Sequence, residues 1–319
     1  MIDTNDGAFL SFEVTEEQEG MPLVSYLRSA FGMSRAMIRR LRKEASVKAD
    51  GIPVPMRHRL RRGERITLHV PPGLMSNVEP EPLPLAIYYE DPHLLVVEKP
   101  AGQLVHPAHS EFRGTLANGV AYHLLAQGEP STAGPVTRLD RNTSGLVLFA
   151  KHPHAHHRLN QAIARGGLDR HYLGIVEGQP ERDEGTIDAP IVKAGETSSE
   201  RRVAPEGQRA ITHYRVVRRF APSDACQDGA ALVEFSLVTG RTHQIRVHAA
   251  HLGHPLIGDP LYGNPREDLI GRQALHAHRL DLTHPIDGTP LTVESPLPDD
   301  LSRLVERLAG EQPRHGRRC

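Results

Sequence analysis

Over residues 35–45, apolar positions fall at Ile38, Leu41 and Ala45, three and four apart, while Arg35, Arg39 and Arg42 recur on another face. This pattern predicts an amphipathic helix, and Ser34 just before it is a residue type that caps helix N-termini. Over residues 46–70 the pattern shortens into strand-like pieces separated by Asp50-Gly51 and Arg62-Gly63. These are turn signals, so a compact helix-then-hairpin module is expected. Pro71-Pro72-Gly73 followed by Pro80, Pro82 and Pro84 predicts an extended linker over residues 73–84. Beyond it strand patterns dominate: Val233, Phe235 and Leu237 alternate with Glu234 and Ser236, and residues 146–150 form an unbroken apolar run, as in a buried strand. Helical patterns over residues 115–126 and 154–164 interrupt them without regular alternation. The expected fold class is therefore α+β. Residues 85–310 should form a domain on a mixed, mostly antiparallel sheet with flanking helices, preceded by a small α/β domain over residues 1–72. Residues 311–319 read as a disordered basic tail.

Composition narrows the function. With 38% hydrophobic and 24% charged residues the chain has an ordinary globular make-up, and no apolar run approaches the roughly 20 residues of a membrane span. The acidic N-terminus lacks the basic start and apolar stretch of a secretory signal, so a cytoplasmic location is expected. Cys226 and Cys319 are the only cysteines, too few for a disulfide framework or a cysteine-based metal site. The net charge of -1 hides an asymmetry: residues 21–70 hold 12 Lys/Arg against 3 Asp/Glu. Such a block on an otherwise acidic chain is the footprint of a polyanion partner, with Arg35, Arg39 and Arg42 as the phosphate-facing row.

The densest chemical signal is Arg138-Leu139-Asp140-Arg141-Asn142-Thr143-Ser144-Gly145, a loop feeding the apolar run. A carboxylate between two guanidinium groups should stay ionised, which suits a nucleophile or base better than a proton donor, although Arg-x-Asp-Arg by itself is more often a surface ion pair. The stretch from Thr137 to Lys151 resembles the catalytic signature of RluA-family pseudouridine synthases, with Thr137 and Asn142 standing where that family usually has His and Asp. Further matches follow in order: residues 87–102 with Val105-His106-Pro107, then Arg170-His171-Tyr172, then residues 239–248 continuing to Gly263. Residues 20–70 resemble the small RNA-binding domain named after the small-subunit ribosomal protein S-four.

The resemblance implies site-specific isomerisation of uridine to pseudouridine in structured RNA, ribosomal RNA before transfer RNA. It implies Asp140 as catalytic carboxylate, Tyr172 stacking on the uracil and Arg246 pairing with the aspartate. Arg138, Arg141, Arg241, His243 and Gln244 would contact RNA. The reaction transfers no external group and oxidises nothing, so no cofactor and no metal is expected. The many histidines lack a carboxylate at ligand spacing, which disfavours zinc, and a single carboxylate among arginines disfavours a glycoside hydrolase. A non-catalytic RNA-binding or ribosome-assembly protein is the alternative, and a monomer the default state.

Overall fold

In the computed structural model, which describes residues 8–31, 33, 35–43, 46–69, 78–108, 111–128, 134–195 and 198–310, two large sheets and a two-stranded ribbon carry the chain. The first is antiparallel, in the order β1-β4-β2-β3, from β1 (Ala8–Glu13), β2 (Val47–Ala49), β3 (Ile52–Pro53) and β4 (Arg65–His69). Helices α1 (Leu23–Ser29) and α2 (Arg35–Lys43) complete it. Leu10, Leu27, Leu41, Ile66 and Leu68 meet in a core drawn only from residues 10–68. On α2 the periodicity resolves as expected: Ile38 and Leu41 are buried while Arg35, Arg39 and Arg42 are exposed. The Ser34 cap and Ala45 lie outside the described residues.

The second sheet contains β5 (Ala86–Glu90), β6 (Leu94–Lys99), β7 (Gly134–Pro135), β8 (Ser144–Ala150), β9 (Leu168–Glu177) and β10 (Glu184–Asp188). A small ribbon, β11 (Ile191–Lys193) and β12 (Arg201–Val203), stands apart from it. It continues with β13 (Ile211–Phe220), β14 (Ala230–Leu237), β15 (Leu275–Thr283) and β16 (Pro290–Glu294). The order is β10-β13-β14-β9-β15-β8-β6-β5, with β16 beside β15 and β7 beside β8. Helices α3 (Leu116–Ala126), α4 (Pro153–Ala164), α5 (Gln244–His251) and α6 (Asp299–Leu308) flank it. Among the described residues every strand pairing is antiparallel except β8 with β15, where His276 faces Ser144 and Ala277 faces Gly145.

The apolar run of β8 is explained by burial on both faces. Leu146 and Leu148 pack with Leu94 and Val96 on one side, Val147 and Phe149 with Leu95 and Val97 on the other, so alternation disappears from the sequence. Gly145 has φ +117°, and a Cβ there would lie 2.2 Å from the Ala277 carbonyl oxygen. Only glycine fits the parallel junction.

Residues 78–84, read from their prolines as part of a linker, do lack regular structure but are bound to the second unit. Val78 is buried against α3 and β8 residues, the Asn118 side chain donates to the Glu79 carbonyl at 2.7 Å, and Arg113 pairs with Glu79 and Glu81. The rest of that prediction, residues 73–77, falls outside the described residues. Among the described residues no helix is long and apolar enough to cross a membrane.

Three buried histidines set an acid limit on this sheet. His276 sits between Ser144 and Ser295, His154 is 2% exposed, and the His152 Nδ1 accepts the Ala155 amide at the start of α4. Burial pushes His276 and His154 down to about 4 and His152 well below its ordinary value. The unfolded chain binds these protons near pH 6.5, so stability is lost as pH falls from about 6.5 toward 4, at roughly 2 kcal/mol by pH 5 for each of His276 and His154. Urea unfolding at pH 7 and pH 5 checks this; equal midpoints would show that these histidines do not carry the acid transition.

Candidate active site

Asp140 lies in the loop that enters β8, and the architecture converges on it. Tyr172 comes from β9, Arg246 from α5, and Asp259 from the turn after α5. They line or underlie a cleft of about 600 Å³ whose walls include His106, Arg138, Arg170, Arg241 and His243. This volume suits a small ligand or a single extruded base.

The carboxylate's ion partner is not a sequence neighbour. Arg246 Nη1 donates to Asp140 Oδ2 at 3.2 Å, whereas Arg141 pairs with Glu111 at 2.6 Å. Arg246 is 5% exposed and is itself held by Asp259, fully buried, through two bonds of 2.7 Å. Burial opposes the Arg246 charge, but Asp259 and then Asp140 outweigh it and raise its pKa. The Tyr262 ring lies 5.1 Å beneath the guanidinium, adding a cation–π contact. A buried cation sandwiched this way keeps a fixed positive charge beside Asp140.

Tyr172 is 6% exposed, and its phenol is raised by burial, with Asp140 adding to the shift and Arg170 opposing it. It is therefore protonated at neutral pH. Arg138 is exposed on the cleft wall with no hydrogen-bond partner among the described residues, and Arg241 anchors to the Arg209 carbonyl at 3.1 Å. Gln244 departs from its expected RNA contact. Its Oε1 accepts from Thr239 and the Arg241 amide, and its Nε2 donates to the Ile211 carbonyl and Thr212. With both ends engaged and 3% exposure, it holds the 239–244 turn instead.

Three supporting residues escaped attention in the sequence although they lie inside the matched stretches. Asp259 and Tyr262 sit in Gly-Asp-Pro-Leu-Tyr-Gly, where nothing local tells their burial. Lys99, fully buried at the end of an apolar strand, is the one with a readable signal. Its Nζ donates to the carbonyls of Pro100, Gln103 and Arg141 at 2.8, 2.9 and 2.8 Å, tying β6 to the Asp140 loop. Burial, then Arg272, lowers it to about 7 against the pull of Asp140, yet the carbonyl cage uses every donor that an ammonium offers. Thr137 also supports the loop, its hydroxyl accepting the Leu148 amide at 3.0 Å.

Comparison with known proteins places this arrangement. The family described as RNA pseudouridylate synthase matches residues 93–251. An uncharacterised RNA pseudouridine synthase of Bacillus subtilis, YhcT, is 40% identical over 298 residues, covering 93% of this chain and 97% of the relative. The chain belongs to the RNA pseudouridylate synthase family, of the RluA type. The synthase is also 36% identical to a ribosomal large subunit pseudouridine synthase D of Xanthomonas campestris, over 88% of this chain and 86% of that one. Among solved structures, human RNA pseudouridylate synthase domain containing 1 superposes with TM-score 0.55 at 26% identity, covering 73% of the synthase and 96% of the human chain. The enzyme class follows: an isomerase acting on uridine in RNA.

Proposed function

We propose that the synthase converts a specific uridine of large-subunit ribosomal RNA to pseudouridine, with Asp140 as the reacting carboxylate. The observation that carries this is a carboxylate one-quarter exposed to the cleft, clamped to a buried arginine that is clamped in turn to Asp259. In the isomerisation the bond from ribose C1′ to uracil N1 breaks, the base turns over, and C1′ bonds to C5. C5 gives up its proton and N1 gains one, so no external reactant is consumed. An ionised carboxylate can act at the ribose either as nucleophile or as base. Tyr172, neutral and buried at the wall, offers a flat face to the detached uracil. Arg138 supplies a cation where the extruded nucleotide enters, with Arg241 and His243 beside it. Arg141 supports this through the rim, by its bond to Glu111.

The exposed Arg35, Arg39 and Arg42 row suits phosphates, and we read residues 1–72 as a separate RNA-binding domain resembling the S-four module. Ribosomal RNA is favoured over transfer RNA by the names of the Xanthomonas relative and of a Nitrosomonas europaea relative, both ribosomal large subunit pseudouridine synthases D, the latter 42% identical over 72% of this chain. A monomer working in the cytoplasm completes the reading. The test is carbodiimide-dependent primer extension on unmodified ribosomal and transfer RNA incubated with purified enzyme. A stop at one ribosomal uridine is expected; a stop only in transfer RNA would move the substrate, and no stop with RNA bound would favour a non-catalytic binding protein.

A further inference from the structure

His243 opens α5 in an unusual way. Its backbone is left-handed, φ 59° and ψ 17°, a conformation that costs a non-glycine residue energy and that persists where surroundings impose it. Its ring is held by a bond of 2.7 Å between His243 Nδ1 and the Tyr262 hydroxyl. That hydroxyl oxygen already accepts the Arg201 amide of β12 at 2.8 Å. The other ring nitrogen, Nε2, stands 3.9 Å from Asp140 Oδ2, the same oxygen that Arg246 holds at 3.2 Å.

The tautomer follows from charge. A lone pair on Nε2 would face a carboxylate, whereas an N–H there faces it favourably. Nδ1 is then the acceptor, and Tyr262, with one oxygen lone pair engaged by Arg201, donates its proton to it. Tyr262 thereby fixes which nitrogen of His243 carries hydrogen.

Resting on the reading of Asp140 as the reacting carboxylate, we infer that His243 is a positioning residue for the isomerisation. Together with Arg246 it addresses Oδ2 and leaves Oδ1 as the oxygen presented to the ribose. No proton leaves His243 in this role; it orients one carboxylate oxygen. The chain Arg201 amide, Tyr262, His243, Asp140 also makes the β11–β12 ribbon a structural support of the carboxylate, although it lies outside the main sheet.

The experiment measures single-turnover rate and RNA affinity on the RNA that wild type modifies, for Asp140→Asn, Tyr262→Phe, His243→Gly and His243→Gln. Glycine suits the left-handed position, so His243→Gly should keep its melting temperature while removing the ring. The expected result is a rate loss of roughly 10²-fold for His243→Gly and about tenfold for Tyr262→Phe, with affinity within about twofold, and partial recovery in His243→Gln, which retains an N–H donor. The acid limb of the rate profile should move to higher pH in Tyr262→Phe. The groups facing His243 are Asp140, Arg246, Arg201, Asp259 and Tyr262, and of these only the Tyr262 hydroxyl is altered. Wild-type rates in the Tyr262 and His243 variants, or weakened affinity at an unchanged rate, would overturn the inference. Retained activity in Asp140→Asn would instead overturn the parent reading.

Discussion

Asp140→Asn is expected to reduce the isomerisation rate by at least about 10³-fold while RNA affinity stays equal or tightens. The amide keeps the shape and can still accept from Arg246, whose main anchor, Asp259, is untouched. What disappears is the negative charge and with it the nucleophile or base. Removing an anion from a cleft walled by Arg138 and Arg241 cannot repel a phosphate backbone, so binding should not fall. Stability should change by only about 1 kcal/mol, because Asp140 is partly solvated. Primer extension paired with a filter-binding isotherm separates the two quantities. Undiminished modification would sink the assignment of Asp140, and parallel loss of binding and rate would point to a collapsed site.

Asp259→Ala is expected to damage the fold as well as the chemistry. It leaves the Arg246 guanidinium, 5% exposed, without its bidentate partner and also removes the acceptor of the Leu261 and Tyr262 amides. Breaking a buried ion pair from one side costs about 3–5 kcal/mol. Arg246 would then have Asp140 as its sole carboxylate partner and swing toward it, neutralising the reactive oxygen. Asp259→Asn, which keeps an acceptor for the amides, should lose less stability but comparable activity. Urea unfolding and turnover measured on both variants decide this. An Asp259→Ala protein with wild-type stability would mean that Arg246 finds solvent or another partner.

The fold was legible where periodicity is local. The α2 stripe, the predicted helices now seen as α3 and α4, and the alternation of β14 each express burial within a few residues. The prolines of residues 78–84 announced irregular backbone but not what it packs on; Glu79 and Asn118 meet across 39 positions. At the site, the sequence put Arg138 and Arg141 beside Asp140, and it was family resemblance, not spacing, that pointed to Arg246. A pair 106 residues apart leaves no mark on local pattern. Asp259 and Tyr262 were hidden for the same reason: burial turns an ordinary charged or aromatic residue into a support, and burial is a property of the finished packing.

The parallel junction, Ser144 against His276 with Arg272 bonding Ser144 and the Asn142 carbonyl, has a consequence for how the molecule comes into being. Closing a loop of this length carries an entropic cost that must be met before the contact gives anything back. The hairpins β5–β6 and β13–β14 can form from neighbouring chain, but the Asp140 loop has no β15 wall until that distant strand arrives. During synthesis the ribosome must release residues through β15 before the loop is seated. A nascent synthase therefore carries Asp140 long before the cleft around it is walled, and the cleft is complete only once β15 has been made.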